Sequence, residues 1–275
     1  MSPRITKSSK PQTPYYLEED ELTHNAAEHQ ATLSPDGTLQ QHQSLTLLLL
    51  HLEQQQHHIT QTPTTTTTTI TTNDTATSTS LPKFKQLVSY STGFAALTLP
   101  IGDVYTWGDE RYGACLGRDI SSSASTSSAD QPGLVTALQD LPTGPVRKVA
   151  AGGYVLAALT AGDDLYLWGG GGGGSQPGGR KGVPAGMVGD EPTPVDLDGR
   201  DIADVAIGDS HLVVLTTEGE VFVVGHNGNG QLGLPGDKYA ESWTRVELGL
   251  QDGRRAVGVA AGPRNSFILV QKGAT

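Results

Sequence analysis

One pattern, written several times along the C-terminal two thirds of the chain, restricts the fold more than any other feature. The stretch GGYVLAALTAGDDLYLWGG begins at Gly152, and GDSHLVVLTTEGEVFVVGH begins at Gly208. Set one beneath the other, Gly152 meets Gly208, Leu159 meets Leu215, Thr160 meets Thr216 and Gly169 meets Gly225. Gly162 and Gly219 mark the turns, one position out of column with each other. A third copy, YSTGFAALTLPIGDVYTWGD from Tyr90, puts Leu97-Thr98, Gly102, Val104-Tyr105 and Trp107-Gly108 in the same columns. A last copy, GPRNSFILVQKG from Gly262, ends after one strand. The spacing is 56 residues from Gly152 to Gly208 and 54 from Gly208 to Gly262. The segments RKVAAGG, ADVAIGD and VGVAAGP repeat as connections leading into each copy. A repeat of this length is one supersecondary unit that needs neighbours to complete its core.

Within each unit, apolar runs of four to eight residues alternate with Gly, Pro and Asp punctuation, which is strand-and-turn texture without a sustained helical period. Alternating residues such as Val221 and Val223 fall on one face of a strand. Such small antiparallel sheets can bury their faces by radial packing, so the expectation is an all-β fold of β-propeller type. In this reading GNGQLG, residues 228–233, is a turn after an outer strand. A dinucleotide loop would need a helix next, and PGDK follows instead.

The pattern Gly-x-x-His … Leu-Thr-x-x-Gly-x-Val-Phe-x-x-Gly-x-Asn-x-x-Gly-Gln-Leu-Gly resembles the regulator of chromosome condensation repeat family, which includes propellers of the beta-lactamase inhibitor protein II type. Residues 208–234 match it nearly throughout, 90–117 and 152–169 in part, and VYTWGDERYGACLG and DLYLWGGGG look like fungal members. The family usually closes a seven-bladed ring. Here about three blades and a terminal strand are clear, so the resemblance implies an incomplete propeller: an open arc, a fragment or a faulty gene model. An open arc would leave strand edges exposed for self-association.

The chain divides by texture. Residues 1–82 are polar and low in complexity, with a Thr/Ser tract at 61–82 and a Gln/His tract at 51–61, and are expected to be largely disordered. Within them, 29–42 is a candidate degenerate repeat, with His29, Leu33, Gly37 and Leu39 in the columns of His211, Leu215, Gly219 and Val221. Residues 83–275 form the expected propeller domain.

A net charge of −11 and a pI of about 5.1 disfavour nucleic-acid partners, because phosphate binding needs Lys and Arg to displace counterions. The single cysteine, Cys115, excludes an internal disulfide and fits a reducing compartment. There is no secretory h-region, and Leu45–Leu52 is too short to span a bilayer. The expectation is an intracellular protein, cytoplasmic or nuclear, without membrane attachment.

Asp209, Ser210 and His211 lie side by side, but triad members meet in space rather than by adjacency, and His211 sits in the family's repeat column. It is read as structural, like Trp107, Gly108, Gly152, Trp168, Gly169, Gly208, Gly225, Gly233 and Gly262. The Gly-rich run at 168–182 lacks the Gly-Lys-Ser/Thr of a phosphate loop, since Gly182 follows Lys181. Cys115, in the column of Gln231, is read as a turn residue. No catalytic residue, metal site or cofactor is expected.

The candidate partner-binding residues are Asp109, Glu110, Arg111 and Tyr112, a polar set with one aromatic anchor, and their counterparts His226, Asn227 and Asn229. The expected function is a non-enzymatic protein-interaction module. The alternative, implied by the resemblance alone, is nucleotide exchange on a small Ran-like GTPase.

Overall fold

A computed structural model describes residues 30–33, 36–42, 81–98, 100–120, 127–170, 175–176, 180–184 and 186–273. The Thr/Ser and Gln/His tracts lie outside them. A hairpin of β1 (Gln30–Leu33) and β2 (Leu39–His42) comes first. Blade 1 follows, with β3 (Phe84–Tyr90), β4 (Gly93–Thr98), β5 (Val104–Gly108) and β6 (Gly133–Leu134). Blade 2 has β7 (Val146–Gly152), β8 (Val155–Thr160) and β9 (Leu165–Gly169). A small separate hairpin of β10 (Ser175–Gln176) and β11 (Arg180–Lys181) precedes its last strand, β12 (Thr193–Pro194). Blade 3 is β13 (Ile202–Ile207), β14 (His211–Thr216), β15 (Val221–His226) and β16 (Tyr239–Arg245). A final hairpin pairs β17 (Arg254–Gly262) with β18 (Asn265–Lys272). The pairings between these strands are antiparallel and join consecutive strands, except that β12 pairs with β9 across the β10–β11 hairpin.

Two features differ from the sequence reading. The segments taken as connections, RKVAAGG, ADVAIGD and VGVAAGP, are strands: they form most of β7, β13 and β17, the first strand of each sheet. Their Ala and Gly content gives low strand propensity, and pairing with the second strand of the same sheet together with packing on the neighbouring blade makes them strands. The last copy is therefore two strands, β17 and β18. The other difference is a single helical turn, α1 (Gly113–Leu116), inside the loop after β5.

The blades pack face to face, and side-chain alternation divides the work. In β8, Leu156 and Ala158 pack toward blade 1 with Ala95 and Leu97, whereas Ala157 and Leu159 pack toward blade 3 with Val205, Leu212 and Val214. Both faces are covered, which is why VLAALT is buried at every position and apolar from Val155 to Leu159 rather than at alternate ones. Val213 and Leu215 repeat the arrangement against Ala256, Val259 and Ile268. The β1–β2 hairpin takes the equivalent place before blade 1, with Leu33 and Leu39 against Phe84 and Trp107. Its turn is tied on by Phe84 N–H to the Gly37 carbonyl at 2.8 Å, as Ile202 N–H is to the Asp163 carbonyl at 2.9 Å. Lys83 and Asp36 pair there at 2.8 Å, and this ammonium brings the Asp36 carboxyl down to about 2.

Two side-chain columns and a recurring bulge reinforce the repeat. Thr98, Thr160 and Thr216, all buried, close the turn after the second strand by accepting from the backbone N–H of Asp103, Asp164 and Glu220 at 2.9, 3.0 and 3.1 Å. A bulge interrupts each first strand between Phe84 and Gln86, Val146 and Lys148, Ile202 and Asp204, and Ala256 and Gly258. The residue beyond the bulge reaches the next blade. Gln86 donates to the Val149 carbonyl at 2.7 Å and accepts from its N–H at 3.0 Å. Lys148 pairs with Asp204 and donates to the Val205 carbonyl, and Asp204 accepts from Val259 N–H at 3.0 Å.

Candidate functional site

The third strand of each blade has a glycine as its last or next-to-last residue: Gly108, Gly169 and Gly225. The next residue donates its N–H back to the carbonyl of the first turn. Asp109 bonds Thr92 at 2.9 Å, Gly170 bonds Tyr154 at 3.0 Å and His226 bonds Ser210 at 2.8 Å. These bonds press the first-turn carbonyl onto the glycine. At Gly169, φ is +136° and a Cβ would lie 2.1 Å from the Tyr154 oxygen; at Gly225, φ is +105° and the Ser210 oxygen would lie 2.4 Å away. The loops that follow the third strands, including 109–117 and 226–233, are thereby fixed at one end of the blades together with the first turns.

In the first loop, Asp109 caps a short 3-10 turn, Glu110–Tyr112, by accepting from Arg111 N–H at 3.0 Å. The Arg111 guanidinium folds back onto the same carboxylate, with Nε 2.9 Å from Oδ1, and this holds the Asp109 carboxyl below its ordinary range. Glu110 is exposed. Tyr112 is half-buried against the Tyr154 ring, with centroids 5.3 Å apart.

The second loop requires a correction. Asn227 is buried rather than offered to a partner. Its amide nitrogen donates to the Leu234 and Asp237 carbonyls at 2.8 and 2.6 Å, and its side-chain oxygen accepts from Leu232 N–H at 2.8 Å. An asparagine that satisfies three backbone groups inside a loop organises that loop. His226 is half-buried, and Asn229 is exposed, its N–H donating to Gln231 Oε1 at 2.9 Å. Gly233 closes the turn with φ of +66°.

His211 is fully buried, and its Nε2 lies 2.9 Å from Ser266 Oγ, joining blade 3 to the last hairpin. Burial pushes its pKa down. Trp168 is buried at the junction of blades 1 and 2, where its Nε1–H donates to the Cys115 carbonyl at 3.1 Å and its ring lies against Gly117. Trp107 is equally buried and stacks on Phe94 at 5.5 Å. Cys115 is buried; its thiol donates to the Tyr154 carbonyl at 3.4 Å, and burial raises its pKa. Gly152 and Gly208 touch the following blade through backbone, and Gly262 lies beside Asn265.

Of two further residues at this end of the blades, Tyr154 was not singled out from the sequence, and Asp209 was named only beside Ser210 and His211. Both occupy first turns, between β7 and β8 and between β13 and β14. The repeat register placed these turns, but did not show that Tyr154 meets Tyr112 from the neighbouring blade. Among the described residues no group of three or more His, Cys, Asp or Glu is placed to hold a metal ion, and no helix is long and apolar enough to cross a membrane.

Sheets of up to four antiparallel strands, packed face to face with repeated interblade hydrogen bonds, define a β-propeller repeat protein with an incomplete set of blades. The family model described as "Regulator of chromosome condensation (RCC1) repeat" matches residues 102–159 and 202–231. In these two segments the chain is similar to the repeats of the regulator of chromosome condensation family. It is 33% identical over 196 residues to the Arabidopsis thaliana RCC1 domain-containing protein RUG3, mitochondrial, covering 70% of this chain and 41% of that protein. It is 38% identical over 133 residues to the Drosophila melanogaster Regulator of chromosome condensation, covering 48% of this chain and 22% of that one. The fold matches Saccharomyces cerevisiae Prp20p, a protein whose binding to Gsp1p and histones has been characterised, with TM-score 0.53 and 19% identity over 70% of this chain and 44% of the other. It also matches human WBSCR16 with TM-score 0.51 and 24% identity, over 70% and 45% of the two chains. In each of these comparisons the chain spans less than half of the relative's length.

Proposed function

We propose that this protein is a non-enzymatic protein-interaction module that binds its partner with the loops at the first-turn end of the blades. The observation that carries this reading is the ladder of backbone bonds from Asp109, Gly170 and His226 to the first-turn carbonyls, which gives exposed loop residues fixed positions on a rigid scaffold. Glu110, Arg111 and Asn229 are the exposed members. Asn227 supports the second loop from within. Protein partners also suit the family, since Prp20p binds Gsp1p and histones.

A second reading is nucleotide exchange on a small Ran-like GTPase, favoured by the similarity to the Drosophila Regulator of chromosome condensation. One pair of assays separates the two. Cross-linking capture from source-cell extract compares the full chain with a Glu110→Lys, Asn229→Lys variant, and release of labelled GDP from a Ran-like GTPase is timed with and without the full chain. A partner captured by the wild type and lost in the variant, with GDP release unchanged, is the expected result. Accelerated GDP release moves the assignment to exchange. Equal capture by both chains removes these loops as the binding surface.

A further inference from the structure

Asn-Gly occurs twice in the chain, and both copies lie in the loop after β15: Asn227-Gly228 and Asn229-Gly230. An asparagine is chemically labile, because the backbone nitrogen of the next residue can attack its carboxamide carbon. A glycine in that next position has no Cβ to block the approach. The structure treats the two copies in opposite ways. Asn227 is buried, and its carboxamide is held on both sides. The nitrogen donates to the Leu234 and Asp237 carbonyls at 2.8 and 2.6 Å, and the oxygen accepts from Leu232 N–H at 2.8 Å. This group cannot swing toward Gly228 without breaking those bonds inside the loop. Asn229 is exposed, and its carboxamide makes no hydrogen bond among the described residues. Its backbone is held instead, by donation of its N–H to Oε1 of the buried Gln231 at 2.9 Å. Gly230 is also exposed, with φ of +79°, and nothing lies within 4 Å of where a Cβ would stand. Its N–H meets the Asn227 carbonyl at 3.0 Å, a bond in an exposed turn, of the kind that opens locally at low cost.

We propose that Asn229 is a site of spontaneous deamidation, and that Asn227, in the same loop and also followed by glycine, is protected by its burial and its three hydrogen bonds. The inference goes beyond the interaction-module reading and does not depend on it. The Gly230 nitrogen gives its proton to solvent base and attacks the Asn229 carboxamide carbon. A new C–N bond closes a succinimide ring, the old C–N bond breaks, and the side-chain nitrogen takes up a proton from water and leaves as ammonia. Water then adds to one of the two ring carbonyls and opens the ring. One opening gives aspartate, the other the β-linked isoaspartate. No oxidant, reductant or enzyme is required. Either product places a carboxylate at one of the exposed residues of the 226–233 loop. The isoaspartyl form also adds a methylene to the main chain between residues 229 and 230, inside the turn that Gly230 closes.

The full chain is aged in mildly alkaline buffer, folded in one sample and unfolded in urea in the other. Peptide mapping by mass spectrometry with fragmentation assigns product to residue 227 or 229, and released ammonia and isoaspartate are counted in parallel. In the folded chain, Asn227 is expected to react at least about tenfold more slowly than Asn229, because a single buried hydrogen bond costs about that factor to break. In urea the two should react at similar rates. Asn229→Gln, at an exposed position, should remove the early product and leave the melting temperature unchanged. Asn227 reacting as fast as Asn229 in the folded chain overturns the proposal. So does a folded chain that stays intact at Asn229 while the unfolded chain converts. A preference for Asn229 that persists undiminished in urea overturns it as well, since local sequence rather than the fold would then set the rates.

Discussion

An alanine at Gly152 would bring its Cβ to 2.4 Å from the Ile207 carbonyl oxygen and 2.7 Å from that of Gly208, both on the following blade. A Cβ does not approach an oxygen that closely, so something must move. The obstructing atoms are backbone, and Ile207 is held in register by its pairing with Leu212. No rotamer change can relieve the contact; blades 2 and 3 must separate, loosening the core between them. Overpacking of this kind costs about 2–3 kcal/mol. In a chain of this size that lowers Tm by about 4–10 °C. The repeat supplies graded controls. Gly208→Ala meets the fully buried His211 ring at 2.1 Å and the Gly262 carbonyl at 2.7 Å, and should cost a similar amount. Gly262→Ala meets only the Asn265 side chain, which is exposed and can swing away. Gly189→Ala has nothing nearer than 3.7 Å. Thermal melts of the four variants should rank Gly152 and Gly208 far below Gly262 and Gly189. If Gly152→Ala melts within about 1 °C of the wild type, the close blade-to-blade approach argued here is wrong.

Other outcomes follow from the same geometry. Trp168→Phe strands the buried Cys115 carbonyl and should cost about 1–3 kcal/mol more in urea denaturation than Trp107→Phe, whose Nε1 has no partner among the described residues. Asp204→Ala removes both the acceptor for Val259 N–H and the partner of Lys148, so it should destabilise more than Lys148→Met in the same assay. Burial depresses the His211 pKa in the folded state, so the unfolded chain binds the extra proton first: this contribution is fully present above the unfolded value of about 6.5 and is lost as pH falls below it. Tm measured from pH 8 to 5 should fall less steeply in His211→Gln than in the wild type. Asn227→Ala should destabilise the 227–238 loop by about 1–3 kcal/mol, seen as faster hydrogen exchange at Leu232.

The repeat columns made much of the blade legible. Gly-x-x-His, the Leu-Thr pair and the terminal Gly located the turns because each answers a local demand: a carbonyl pressed onto Gly169, or a hydroxyl closing a turn at Thr160. The inner strands were hidden because nothing local makes RKVAAGG a strand. Its Ala and Gly residues are there to let the next blade approach, and that demand is visible only once the neighbour is in place. The same limit applied to Asn227. Exposure is the ordinary expectation for an asparagine in a Gly-rich loop, and its three backbone partners, Leu232, Leu234 and Asp237, gather around it only when the loop has closed.

By itself, then, the amino-acid order determined the blade as a unit, the two-sided apolar strands and the acidic character of the surface, since alternation, turn chemistry and charge are properties of short stretches. The tertiary structure alone decided which side chains from different blades share a surface. Tyr112 and Tyr154 stand 42 positions apart in the chain and 5.3 Å apart in space. That pairing depends on the angle at which blade 2 packs on blade 1, set by contacts such as those of Gln86 with the Val149 backbone and of Trp168 with the Cys115 carbonyl, and no single blade contains that information.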